Sequence, residues 1–189
     1  MDISEWRKEI ERERERKDWF FAEHWQSPIP LEDRAKFKGL DYFPPDPNYR
    51  FELELHEHRE KERIKMAYTG GEEKEFIRWG EFRFRVEGRE VRLQAYKGDF
   101  EEETLFIPFR DATSGKETYG AGRYIDLDPH RDRTPDGKWI LDFNKAYNPW
   151  CAYSEMYTCP FVPPENWLDV PIRAGEKDYP LRKGRKNHG

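Results

Sequence analysis

From Arg50 onward the apolar residues of this chain recur with a period of two, and that alternation limits the fold more than any other feature. Phe51, Leu53 and Leu55 alternate with Glu52, Glu54 and His56, and Ile64, Met66 and Tyr68 repeat the pattern. Successive side chains of a strand point to opposite faces, so such a run buries one face of a sheet and wets the other. Phe82, Phe84 and Val86 alternate with Arg83 and Arg85, and Glu87-Gly88 then turns the chain into Val91, Leu93 and Ala95. A glycine-bearing dipeptide between two alternating runs predicts a hairpin. "TLFIPF" at 104–109 is apolar on both faces, with Pro108 marking a strand end or a bulge. "GRYIDLD" and "KWILDFN" are two further strands joined by the polar "PHRDRTPDG", and "TGG" at 69–71 is a turn. About seven or more short strands predict a mainly β domain, an antiparallel β-barrel or sandwich.

The segment before it has a different period. Ser4 can cap a helix through "EWRKEIERERERKDWFFAEHW", an N-terminal α-helix of about six turns packed outside the sheet. Trp6, Ile10, Lys17, Phe21 and Trp25 fall near one face, but the middle of the helix is charged. Glu and Arg alternate from Glu11 to Arg16, and mixed-sign pairs three and four apart support an exposed helix, so only its aromatic ends need to dock. Pro28 ends the helix, a further turn or two starts at Leu31, and "YFPPDPNYRF" is extended connector because residues before proline are pushed out of the helical region. The organisation expected is helix and connector over 1–48, a β domain over 49–180 and a basic, frayed tail over 181–189.

Composition decides whether so charged a chain has a core. Charged residues are 39% and apolar ones 35%, yet 16% are aromatic, and large rings bury enough area to hold a domain together. A net charge of −5 and a pI near 5.7 argue against a nucleic-acid partner, whose binding rests on neutralised phosphates. No apolar run approaches the ~18 residues of a membrane span, and no signal-peptide core follows Met1. A soluble, cytoplasmic protein without a membrane partner is expected. Two cysteines are too few for a secreted disulfide scaffold.

Residues with chemistry concentrate in the second half. "YGAGRY" lacks the lysine and hydroxyl of a phosphate-binding loop and precedes a strand, so Gly120 and Gly122 are read as permitting close backbone packing. Arg123, set between Tyr119 and Tyr124, needs an anionic partner when buried, from the protein or from a ligand. "DLDPHRD" alternates acidic residues but lacks the glycine and glutamate of a calcium loop, and reads as a solvated hairpin loop. His56 and His58 lack a third ligand at a defined spacing. Cys151 and Cys159 are C-x7-C, wider than zinc-ligand pairs and without a second pair. Three readings of them are open: buried thiols, a disulfide closing a nine-residue loop and contributing ~2–3 kcal/mol, or a reactive or ligating pair. The expectation is no metal and two reduced structural thiols under the 147–157 loop, close enough to be oxidised.

The stretch from "FIPFRDATSGKETYGAGRYIDL" through "DGKWILDFNKAYNPWCAYSEMYTCPFVPPENWLDVPIRAGEK" resembles a prokaryotic family of unknown function, domain-of-unknown-function family 1684. "RKDWFF", "SPIP" and "FKGLDYFPPDPNYRF" extend the resemblance over most of the chain. The resemblance implies no reaction and no cofactor. It does emphasise Tyr119, Gly120, Gly122, Arg123, Tyr124, Asp142, Asn144, Tyr147 and Asn148, then Cys151, Tyr153, Cys159, Pro160, Glu165, Asn166, Gly175 and Glu176. The acidic loop at 126–132 lies outside these motifs.

Asp142 and Asn144 share a face of the expected strand Trp139–Asn144, opposite Trp139, Leu141 and Phe143. Together with Tyr119, Arg123, Tyr124, Tyr147, Asn148, Tyr153, Glu165, Asn166 and Glu176, these residues either line a polar, aromatic-walled pocket or satisfy the backbone of a long irregular segment. The first alternative predicts a domain that binds a small polar or anionic molecule near Arg123 and the 142–166 loop. The second predicts a structural or interaction protein whose helix docks a partner or a second copy along Trp6, Ile10, Phe21 and Trp25.

Overall fold

The computed structural model describes residues 1–179, and the basic tail expected over 181–189 lies outside them. Helix α1 (Ile3–Glu23) leads into short 3-10 turns at Leu31–Lys36 and Pro47–Tyr49. Seven strands follow: β1 (Arg50–Leu53), β2 (His56–Ala67), β3 (Glu73–Val86), β4 (Arg89–Lys97), β5 (Leu105–Phe109), β6 (Arg123–Leu127) and β7 (Trp139–Asp142). β2 to β6 pair antiparallel in chain order as a five-stranded sheet, and β1 pairs with β7 in a second, two-stranded one. The sheets do not close on each other, so of the two expected architectures the protein adopts the sandwich.

The alternation seen in the sequence places the core between the sheets. Phe82, Phe84, Leu93, Ile107, Phe109 and Ile125 face inward from the larger sheet and meet Trp139 and Leu141 from the smaller and Phe143 just beyond it. Phe143 sits at the centre, 5.6 Å from the Phe84 ring and 5.3 Å from that of Phe109. Each such ring contributes about 1.5–3 kcal/mol by leaving water. At the β3–β4 turn Glu87 and Gly88 both adopt positive φ, 51° and 76°, which matches the right-handed twist of the flanking strands.

Three expectations are corrected. The cap of α1 is Asp2, whose Oδ1 accepts the Ser4 and Glu5 amides at 2.9 and 3.2 Å, so the helix begins before Ser4 and ends before Trp25. The segment 128–138 is no hairpin loop, because β7 leaves the sheet of β6 and pairs with β1, Leu53 opposite Trp139. This crossing buries Trp139 and Leu141 in the opposite layer. The last strand also stops at Asp142: its Oδ1 accepts the Asn144 amide at 2.9 Å and turns the chain into a 3-10 turn over Phe143–Lys145.

The ends of α1 dock as expected. Trp6, Ile10 and Phe21 are buried, while Trp25 is 79% exposed beyond the helix. Of the stripe offered as a surface for a partner, Trp6, Ile10 and Phe21 are therefore covered by the chain itself, and Trp25 alone is exposed. Among the described residues no helix is long and apolar enough to cross a membrane.

Candidate functional site

Two glycines set the geometry around the buried charges. Gly122 has φ 102°, and a Cβ there would lie 2.6 Å from the Phe109 carbonyl oxygen; Gly175 has φ 81°, and its Cβ would lie 2.7 Å from that of Phe143. Only glycine meets both demands at either position. Each is followed by a charged residue carried into the interior, Arg123 and Glu176.

Arg123 is 1% exposed. Its Nη1 donates to the carbonyl oxygens of Ala174 and of Glu176, the latter at 3.1 Å, and its Nη2 to Ile172 O at 2.9 Å. The Asp111 carboxylate, 3.5 Å away, supplies the anionic partner. Asp111 is itself held by the Thr113 hydroxyl at 2.8 Å and the Ile172 amide at 2.6 Å. Burial pulls the Arg123 guanidinium down from its ordinary value, and Asp111 and Glu176 oppose this. Arg123 thus anchors the segment 172–176 and lines none of the cavities described here.

That anchoring presents Glu176. Its Oε2 accepts the Asn148 amide and the Tyr153 hydroxyl, the latter at 3.1 Å, and Lys17 Nζ lies 2.6 Å from Oε1. Burial, then Glu176, raises the Tyr153 phenol well above its usual range. Glu176 forms one wall of a small cavity of about 90 Å³ with Arg14, Lys17, Tyr42, Asn144 and Tyr147. Arg14 donates to Phe43 O at 2.8 Å and to Asn144 O at 3.4 Å, and its guanidinium lies 4.4 Å over the Tyr42 ring. Its Nε and the Tyr42 hydroxyl are buried without a hydrogen-bond partner. Burial lowers the Arg14 guanidinium, and burial with the Glu176 charge raises the Tyr42 phenol. Glu13, Lys145 and Tyr147 also line a second, adjoining cavity of about 300 Å³, whose other walls include Asp126, Arg131 and Asp142. The Tyr147 hydroxyl donates to Asp126 Oδ2, and Lys145 pairs with Glu13 at 3.8 Å. Together these form one stepped cleft between α1 and the start of the 142–148 segment.

The other predicted site residues divide between the edge of this cleft and places away from it. Asp142 Oδ2 accepts the Trp6 indole N–H at 2.7 Å, and Asn144 exchanges hydrogen bonds with the Asp46 backbone at 2.9 and 2.8 Å, so both pin α1 and the connector to β7. Glu165 and Asn166 lie elsewhere, on the larger sheet. Glu165 binds Arg78 at 3.0 Å and accepts the Tyr96 hydroxyl, while Asn166 bridges Gln94 and the Pro108 carbonyl oxygen. Tyr124 donates to Pro160 O, and Tyr119 Oη lies 3.7 Å from Cys151 Sγ. Cys151 and Cys159 are both free and buried. A hydrogen bond from the Cys151 thiol draws the Cys159 thiol down to about 6 against the effect of burial, and the backbone of Cys151 and Trp150 assists.

Arg14, Lys17 and Tyr42 are among the cleft residues not anticipated as such. A signal existed for Arg14 and Lys17, cations four and seven residues after Ile10 on the face that also carries Phe21, where an inward charge implies an inward partner. Tyr42 carries no comparable signal, since it is one of several aromatics in the connector. A larger cavity of about 510 Å³ opens between Trp79 and Trp139, but Lys97 and Lys61 already lie 3.8 and 4.6 Å over the Trp79 ring and Arg133 4.7 Å over Trp139. Its aromatic walls are stacked with the chain's own cations.

In comparisons with known proteins, the model of a family described as "Protein of unknown function (DUF1684)" matches residues 35–177. The chain is similar to the solution NMR structure of an uncharacterized protein from Haloarcula marismortui, with 40% identity and a TM-score of 0.70 over 93% of this chain and 96% of that one. No curated protein matches.

Proposed function

The chain belongs to the DUF1684 family of proteins of unknown function, and within its fold we propose that the stepped cleft under α1 binds a small polar molecule. The observation that carries this reading is the inner compartment. It brings a buried carboxylate, Glu176, and its Lys17 partner together with two polar groups that lack partners, Arg14 Nε and the Tyr42 hydroxyl. Unsatisfied buried groups cost about 1–3 kcal/mol each, so their presence on a cavity wall points to a ligand that completes them.

The donor and acceptor set selects the chemistry. Arg14 Nε–H and the Tyr42 hydroxyl donate, and Glu176 accepts, so a hydroxyl or carboxamide end of a ligand pairs with all three. A full anion would meet Glu176 at close range, which makes a neutral polar end the better fit than an anionic one. At about 90 Å³ the inner compartment admits only such an end, and the outer compartment of about 300 Å³ takes the remainder between Lys145 and Arg131. Arg123 supports the site at one remove by holding the segment that presents Glu176.

The test is a thermal-shift screen against polyols, amides and hydroxy acids, with Tyr42→Phe as the control. A ligand of the cleft raises the unfolding midpoint of the parent, and Tyr42→Phe weakens that rise about tenfold in ligand concentration while leaving the unliganded midpoint unchanged or higher. Equal response of parent and variant to every stabilising compound would refute the site.

A further inference from the structure

The outer compartment of the cleft runs along the free edge of a sheet. β6 is the last strand of the five-stranded sheet, and three consecutive residues of it, Ile125, Asp126 and Leu127, border the cavity of about 300 Å³. Successive side chains alternate between faces, and those of Ile125 and Leu127 are buried in the core, so the wall that these two offer is main chain. The ladder fixes which groups point outward. The Tyr124 amide donates to Tyr147 O at 2.8 Å and the Tyr147 amide to Tyr124 O at 3.0 Å, so Tyr124 turns its peptide groups away from Pro108, its partner on β5. Inward and outward residues alternate along an antiparallel strand, which places the Asp126 amide and carbonyl oxygen at the same free edge. That carbonyl oxygen accepts Arg131 Nη2 at 3.3 Å and keeps a second lone pair. Tyr147 closes one end of the slot. Asp132 closes the other: its Oδ2 accepts the Asp128 amide at 2.9 Å, and its carbonyl oxygen the Ile140 amide of β7 at 2.8 Å.

We propose that the ligand of the cleft is a short peptide, its main chain paired with the edge of β6 at Asp126 and a hydroxyl or carboxamide side chain in the inner compartment. This rests on the cleft being a binding site and adds the class of molecule it takes. An extended residue presents an N–H and a C=O on one side, and these match the Asp126 carbonyl and amide as the peptide groups of Tyr147 match those of Tyr124. The edge of a sheet is a template for a further strand. Here Tyr147 and Asp132 occupy the positions on either side of Asp126, so the slot admits a short extended segment and no folded partner. Tyr147 borders both compartments, and a chain paired at Asp126 therefore passes it on the way to Tyr42 and Glu176. Asp126, Asp142 and Glu13 line the slot and disfavour a free carboxylate end, so the peptide is held through internal amides. Polyols and hydroxy acids lack that paired donor and acceptor.

The experiment titrates acetyl dipeptide amides carrying glutamine, asparagine or serine before alanine into the full chain labelled with nitrogen-15. The expected result is a shift of the Asp126 amide resonance and slowing of its hydrogen exchange by about tenfold at saturation. Methylation of one or other backbone nitrogen of the peptide weakens binding roughly tenfold for want of one hydrogen bond. Asp126→Pro removes the donor and keeps the β5–β6 ladder, because that amide points away from β5, and it loses the peptide by about the same factor. An Asp126 amide unaffected by all three peptides, or equal affinity for every methylated analogue, would overturn the proposal. Should Asp126→Pro fail to fold, hydrogen exchange of the parent decides. The two readings fail separately. Polyols or simple amides that raise the unfolding midpoint of the parent more than that of Tyr42→Phe, where no peptide binds, would refute the peptide and leave the cleft. A peptide that protects the Asp126 amide equally in the parent and in Tyr42→Phe would refute the seating of its side chain in the inner compartment.

Discussion

At the scale of single residues, the interior of this protein is organised by a few ionised groups that bind backbone as well as one another. Arg123 reaches three carbonyl oxygens of 172–176 and one carboxylate, so its removal leaves Asp111 charged and buried with the segment unanchored. Arg123→Ala is expected to lower the unfolding free energy by about 3–5 kcal/mol in a denaturant titration. A loss below 1 kcal/mol would mean that the segment holds itself. The sequence made the need for an anionic partner legible, because an arginine among tyrosines and glycines must be neutralised. It could not identify Asp111 in place of a ligand, since the partner comes from a loop whose path is set by Gly122. Cys159 gives a second prediction at this scale. Its thiol is depressed to about 6 in the fold, below the ~8.5 of an unfolded cysteine. Its stabilising contribution is thus fully present above the unfolded value and lost as pH falls through the folded one. The unfolding midpoint in denaturant should rise between about pH 6 and pH 8.5 in the parent, and Cys159→Ser should flatten that rise. An unchanged slope in the variant would assign the titration to another group.

At the scale of elements, the β4–β5 junction shows where strand patterning stops being informative. Alternation located both strands, but only Tyr96 and Phe106 pair across them, and Pro108 has no amide to offer. Asn166 fills the gap. Its Oδ1 accepts the Gln94 amide at 2.8 Å, and its Nδ2 donates to Gln94 O at 3.0 Å and Pro108 O at 2.8 Å. A side-chain amide here replaces a peptide of a missing strand. Asn166→Ala strands three buried backbone groups and is expected to cost about 3 kcal/mol or more, with Asn166→Asp nearly as severe because a carboxylate cannot donate to the two carbonyl oxygens. Retained stability in either variant, measured by thermal unfolding, would show that water substitutes. The resemblance to a family pointed to Asn166, but the polar pattern alone could not separate a ligand contact from a backbone surrogate. The same limit applies to β6 and β7, whose connector looks like a hairpin although the two strands occupy different sheets.

At the scale of the whole molecule, α1 is a third layer over the β1–β7 edge and the 142–153 segment. Its helical period was legible, and so were the docked ends. The inward turn of Arg14 and Lys17 was legible only as two cations on the docked face, because in a helix where Glu and Arg alternate every turn carries charges, and only the tertiary position of Glu176 singles out their partner. Removing residues 1–24 takes away the indole donor of Asp142, the ammonium partner of Glu176 and the ring that Phe21 sets 5.0 Å from Tyr153. Two buried carboxylates would then lack their counter-groups, a cost of several kcal/mol that is comparable to the whole stability of a domain this size. The truncated chain is therefore expected to keep strand content in far-ultraviolet circular dichroism but to lose its near-ultraviolet signal and cooperative melting, and to bind a hydrophobic dye. A sharp, parent-like transition in the truncated chain would mean that the sandwich is self-sufficient and that α1 is a detachable cover. In that case the cleft beneath it would open as the helix leaves, and its inner compartment would be a docking seat for the helix rather than for a ligand.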